Sequence, residues 1–209
     1  MILVTGQVED DASLRHGAPG ITHNGELLRA VRKLNPRSYI VYKPHPDVVA
    51  GLRRWGREEK SASNWCDEIV LHVPIGGMFE QADEVHTLTS LAGFEALLRG
   101  KPVTCHGLPF YAGWGLTADM VSTPRRNRRL TLDELVAGSL ILYPSYVSRV
   151  TGEFTTPERA VEELIAWRAE AGSLPSVRRL LRPVLSLGKR IHRLCNDALA
   201  RSAGFTHGG

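Results

Sequence analysis

The stretch YKPHPDV, residues 42–48, sets a lysine and a histidine among prolines directly behind an apolar run. Prolines cannot donate to a strand ladder, so the run over residues 39–42 must end there. Lys43 and His45 are then held on a stiff loop, with Pro44 and Pro46 flanking the histidine. Ligands of open α/β sheets bind outside the C-terminal ends of strands, where a lysine and an imidazole suit an anionic phosphate. A second stretch, DEVHTLTSLAGFEALLRGKPV at 83–103, ends a strand at Thr89–Ser90 and opens a helix with Ser90 as its cap. Free backbone N–H groups at such a start also favour a phosphate. Gly93 permits close approach in the first turn, and Glu95, one turn in, can accept hydrogen bonds from ribose hydroxyls. Taken alone, this second stretch reads equally well as a capped amphipathic helix with a solvated glutamate. The third stretch, GQVEDDASLRHG, carries Glu9, Asp10 and Asp11 on the loop after the first strand. No second acidic cluster completes a magnesium site, so a carboxylate here suits a nucleophile or base.

These residues need a scaffold that gathers strand ends. Ile2–Thr5 is a short apolar strand, and residues 6–23 form a polar loop. Asn24 is the expected cap of a helix to about Leu34, with Leu27, Leu28, Val31 and Leu34 on one face. Further strands are expected at 39–42, 69–73, 84–88 and 103–105, and helices at 75–81 and 90–99. Short strands alternating with helices give an α/β fold, a Rossmann-like parallel sheet flanked by helices. Beyond the sheet lie the aromatic, glycine-rich GLPFYAGWGLT and the basic PRRNRR. Thr131 with Glu134 makes a capping box for a helix over 132–139, and Thr156-Pro157 opens another. AGSLPS at 171–176 reads as a linker, dividing the chain into a domain over 1–170 and a basic tail over 171–209, partly helical or disordered.

Composition excludes several classes. Residues 172–209 carry seven Lys/Arg against one acid, while the remainder has 19 basic and 21 acidic residues, which gives no whole-protein case for nucleic acid. Basic runs are usually solvated faces, and no nucleic-acid motif accompanies RRNRR. Cys66, Cys105 and Cys195 show no CxxC spacing, pointing away from zinc or a disulfide framework and toward a reducing cytoplasm. No apolar run approaches the roughly 20 residues that span a bilayer. The tail's recurring apolar residues between arginines suit the surface of an anionic leaflet, or packing on the domain.

In order and spacing, GQVEDDAS, YKPHPDV, TSLAGFEALLRGK and PFYAGWGLT resemble the capsule polysaccharide biosynthesis β-Kdo transferases, from about Ile2 to Ile165. The resemblance implies one half, the donor domain, of a GT-B-type retaining glycosyltransferase with a C-terminal helical appendage. It implies CMP-Kdo as donor, a Kdo-bearing glycolipid acceptor on the lipid anchor of capsules, and no metal or other cofactor. It puts His45 and Pro46 on the CMP phosphate with Lys43 beside them, and Thr89 and Ser90 there as well. Glu95 falls on the ribose, and Asp11 is the nucleophile, with Asp10 the neighbouring alternative. His45 and the helix start would stabilise the leaving phosphate. Family members carry another Rossmann-like domain before the donor domain. The expectation is therefore a fragment whose acceptor side lies in a missing N-terminal domain or a separate chain, peripheral on the inner membrane. Two alternatives share the motifs: a sialyltransferase-like CMP-sugar transferase, and a non-catalytic CMP-binding remnant.

Overall fold

Ile2, Leu3 and Val4 are all buried, which an apolar strand achieves only when both faces of its sheet are covered. A computed structural model describes residues 1–172, so the expected tail beyond Gly172 lies outside the described residues. The run Ile2–Thr5 is β1, the inner strand of a parallel sheet with β2 (Ile40–Lys43), β3 (Glu68–Ile69), β4 (Glu84–Thr87), β5 (Val103–Cys105) and β6 (Ala118–Asp119). The order β3-β2-β1-β4-β5-β6 reverses direction at β1, leaving a switch point between β1 and β4. This is the Rossmann-like α/β architecture read from the sequence.

Alternation along the strands feeds two cores. Leu3, Val41, Val85 and Val103 pack with Phe79, Phe94 and Tyr111 on one face. Ile2, Val4, Ile40 and Tyr42 pack with Leu14, Leu27, Leu28 and Val31 on the other. The elements between the strands are α1 (Ala12–Gly17), α2 (Asn24–Leu34), α3 (Pro46–Val49), α4 (Ile75–Gln81) and α5 (Leu91–Leu97), followed by α6 (Leu132–Val136). Leu27, Leu28 and Val31 are wholly buried, each adding roughly 1.5–3 kcal/mol of transfer free energy to the docking of α2.

Several expectations need correction. Asn24 does not cap α2; the cap position is His23, and Asn24 is the first helical residue with its side chain turned to Gln7. The third strand is only Glu68–Ile69, because after Val70 donates to Tyr42 O the chain leaves the sheet edge toward Pro74, which caps α4. The PHP segment is not a plain loop, since Pro46 starts α3 at its first position. The capping box at Thr131 and Glu134 forms, at 3.2 Å and 2.7 Å. Its helix ends at Val136, and Ala137–Leu142 continues as a wider π-type turn.

Contacts divide the chain into Met1–Val136 and a second unit from Ala137, a boundary inside the 1–170 span. In the second unit β7 (Tyr146–Val147) and β8 (Phe154–Thr155) form an antiparallel pair. There Ser148 Oγ donates to Glu163 of α7 (Pro157–Gly172) at 2.7 Å. Among the described residues no helix is long and apolar enough to cross a membrane.

Candidate functional site

β1 ends at Thr5, and the next residue, Gly6, donates its N–H to Lys43 O at 2.8 Å. A Cβ on Gly6 would stand 2.4 Å from Tyr42 Oη and 3.1 Å from Pro44 Cα, so glycine is what lets the first loop lie against the KPHP segment. Gln7 reaches the opposite way. Its Nε2 donates to Thr89 Oγ1 at 3.0 Å, and its Oε1 accepts from Thr89 N–H at 2.7 Å. The backbone of Gln7 is held by Asn24, whose side chain accepts from Gln7 N–H at 2.9 Å and donates to Gln7 O at 2.8 Å. Two adjacent residues thus tie the loops after β1, β2 and β4 into one edge at the switch point.

His45 caps α3, its Nδ1 accepting from Asp47 N–H at 3.2 Å. A ring accepting at Nδ1 carries its proton on Nε2, leaving that N–H without a partner among the described residues. Pro46 beside it is exposed. Lys43 is not on the loop as expected. It is the last residue of β2, 7% exposed, and its Nζ donates to Leu71 O at 2.6 Å. Burial lowers its pKa.

The three acids separate into different roles. Glu9 is structural: it accepts from Asn24 N–H at 2.8 Å and Arg57 N–H at 2.7 Å, and meets His23 Nδ1 at 2.9 Å. Glu9 thereby supplies the cap that Asn24 was expected to give. Asp10 is exposed and lies 3.4 Å from Arg53. Asp11 stands at the cap position of α1 without a side-chain capping bond, and its exposed carboxylate has no partner among the described residues. The C-terminal end of α1 is pinned over the same edge, where Gly17 O accepts from Leu108 N–H at 2.6 Å.

Ser90 caps α5, accepting at Oγ from Ala92 N–H at 3.2 Å, and its hydroxyl proton stays available. Thr89 Oγ1 likewise keeps its own O–H while accepting from Gln7. Gly93 does not make room for a ligand. A Cβ there would meet Tyr111 Oη at 2.2 Å, so the space belongs to the buried Tyr111, which donates to Ser90 O at 2.5 Å. Glu95 is half-buried on α5, with Oε2 3.9 Å from Arg99. In PRRNRR, Arg126 holds the aromatic loop in place, donating to Pro109 O at 2.5 Å and Ala112 O at 2.7 Å.

Between β4 and β5, His86 Nδ1 and His106 Nε2 share a hydrogen bond at 3.0 Å. His86 Nε2 lies 3.0 Å from Glu84 Oε1 without the alignment of a hydrogen bond. Burial, and then the neighbouring His86, pushes His106 down to about 4, and burial lowers His86 as well.

Asp11, His45, Thr89 and Ser90 therefore stand on loops or caps at one strand edge, with Pro46 opening α3 beside His45 and Glu95 a turn further along α5. Lys43 is set back in the sheet. Gln7 and Tyr111 were absent from the expected site. Their sequence signals were a polar residue two positions after the first strand, within GQVEDDAS, and a tyrosine within a glycine-rich aromatic run.

The family described as capsule polysaccharide biosynthesis protein matches residues 1–154, across all three of these loops. The chain belongs to this family. The capsule polysaccharide modification protein LipA of Neisseria meningitidis serogroup A is 54% identical to this family member over 165 residues, covering 79% of this chain and 23% of LipA. The lipopolysaccharide-processing protein LpsZ of Rhizobium meliloti is 44% identical over 163 residues, covering 78% of this chain and 37% of LpsZ. Among solved structures, the Thermosulfurimonas dismutans KpsC β-Kdo 2,7 transferase superposes with a TM-score of 0.73 at 52% identity, covering 80% of this chain and 53% of that one. The β-Kdo 2,4 transferase of the same organism gives 0.64 at 31% identity, covering 78% and 51%. The chain spans about half the length of these structures and a smaller share of the two sequence relatives.

Proposed function

We propose that this chain is the donor-binding part of a retaining β-Kdo glycosyltransferase that uses CMP-Kdo to build the Kdo linker on the lipid anchor of capsular polysaccharide. The observation that carries the reading is the clamp of Gly6 and Gln7, which gathers the loops bearing Asp11, His45, Thr89 and Ser90. His45 Nε2–H and the two hydroxyls donate to the CMP phosphate, and Glu95 accepts from the ribose. Those donors stabilise the charge that collects on the phosphate as it leaves.

Retention of configuration by two inversions needs a carboxylate close to the anomeric carbon. Asp11 supplies it. The carboxylate oxygen bonds to the anomeric carbon as the carbon–oxygen bond to the phosphate breaks, its electron pair going to CMP. An acceptor hydroxyl then attacks from the opposite face and displaces the carboxylate, its proton passing to water. Asp11 suits this role better than its neighbours because Glu9 is fully bonded and Asp10 leans on Arg53. The acceptor side of the cleft belongs to the part of the relatives' length that this chain does not cover, and the glycolipid acceptor places the protein at the cytoplasmic face of the membrane.

The test is transfer from CMP-Kdo to a Kdo-bearing glycolipid, in a chain carrying the remaining length of its relatives. Asp11→Asn should lose transfer and still bind CMP. Transfer at the parental rate would remove Asp11 as nucleophile. A parent that binds no CMP would remove the whole reading.

A further inference from the structure

Thr5 and Lys43 are the last residues of β1 and β2, and they are register partners. Partners in adjacent parallel strands sit roughly 4.8 Å apart with side chains on the same face. Leu3 and Val41, two residues earlier in each strand, both belong to the core that packs with Phe79 and Phe94. Thr5 and Lys43 therefore share that face, side by side at the C-terminal edge of the sheet.

Each has an unmet polar demand. Thr5 is 2% exposed, and its Oγ1 has no hydrogen-bond partner among the described residues. A buried hydroxyl without a partner is rare and asks for an explanation. Lys43, 7% exposed, uses one of its three ammonium N–H groups, on Leu71 O. No carboxylate lies in ion-pair range of it among the described residues. Buried charges are ordinarily paired, and this one stands beside an orphaned donor at the edge where the site loops meet.

We propose that Thr5 and Lys43 together seat an oxyanion of the bound donor, the hydroxyl giving one hydrogen bond and the ammonium its two free N–H groups. The inference rests on the CMP-sugar reading above. A CMP-ulosonate offers two such oxyanions, the phosphate and the sugar carboxylate, and both take the same chemistry. Thr5 Oγ1 is closed off from solvent, so the seat opens as the anion enters.

Calorimetry with cytidine, CMP and CMP-Kdo separates the cases, using the full chain and its Thr5→Val, Lys43→Met and Thr5→Ser variants. Thr5→Val should weaken an anionic probe by roughly tenfold and Lys43→Met by at least as much, while cytidine binding stays at the parental value. Thr5→Ser keeps the hydroxyl and should bind like the parent. A loss that appears with CMP assigns the seat to the phosphate; one that appears only with CMP-Kdo assigns it to the carboxylate. Parental affinity for all three probes in both Thr5→Val and Lys43→Met overturns the seat and leaves the CMP-sugar reading standing. An equal loss for cytidine also overturns it, because no anion is then involved. A parent that binds none of the probes removes the CMP-sugar reading, and the seat with it.

Discussion

Gln7 grips Thr89 through both ends of its side-chain amide, 3.0 Å from Nε2 to Oγ1 and 2.7 Å from Thr89 N to Oε1. The pair joins the loop after β1 to the loop after β4. Gln7→Ala leaves Thr89 N–H without its acceptor, which should cost about 1–3 kcal/mol. Urea denaturation would show it as a lower midpoint at constant slope, together with weaker CMP binding. An unchanged midpoint would mean that the clamp adds nothing to the edge.

His45 combines a structural bond with a free donor, and the two can be separated. His45→Ala should lose roughly 1.5–3 kcal/mol of CMP binding, through loss of a hydrogen bond to a charged group. His45→Asn restores an acceptor for Asp47 N–H and should recover stability, since asparagine is a good cap. It should not recover CMP affinity, because its shorter side chain cannot bring a donor to the same point. If both variants bind CMP as tightly as the parent, His45 is a cap and nothing more.

Gly93 and Tyr111 occupy the same space. Gly93→Ala forces a methyl against Tyr111 Oη at 2.2 Å and Cζ at 2.8 Å, an overpacking that should cost about 1–3 kcal/mol. Adding Tyr111→Phe removes only the nearer clash and should restore part of the loss. Thermal or urea unfolding of the two variants checks this. A fully stable Gly93→Ala would show that the aromatic loop yields freely.

The His86–His106 pair predicts a stability that falls with acid. His106 is held near 4 in the folded protein, against an ordinary value of about 6.5 in the unfolded chain. The unfolded state therefore binds more protons between these values, and stability rises with pH across that window. The contribution is fully present above about pH 6.5 and lost as pH falls toward 4, at up to about 3 kcal/mol. His106→Gln should flatten the dependence between pH 7 and 5, measured by urea titration at each pH. The same slope in parent and variant would place the titrating group elsewhere.

The local signals in the sequence carried far. Short apolar runs marked β1, β4 and β5, and a proline pair marked the end of β2, because backbone geometry and missing donors act within a few residues. The motifs HPDV, TSLAGFE and EDDAS placed the strand-end residues by the same local chemistry. Tertiary structure alone decided what those residues touch. Thr89 meets Gln7 across 82 positions, and Asn24 turns from its cap to hold Gln7 across 17, because the parallel sheet brings those loops together. Glu9 leaves the acid cluster because two backbone N–H groups need an acceptor where α2 begins and where the chain passes Arg57. Gly93 is small for Tyr111 rather than for a phosphate. No local pattern marks Thr5 or Lys43 as facing the same side, since that depends on register between strands, and register is set by long-range packing.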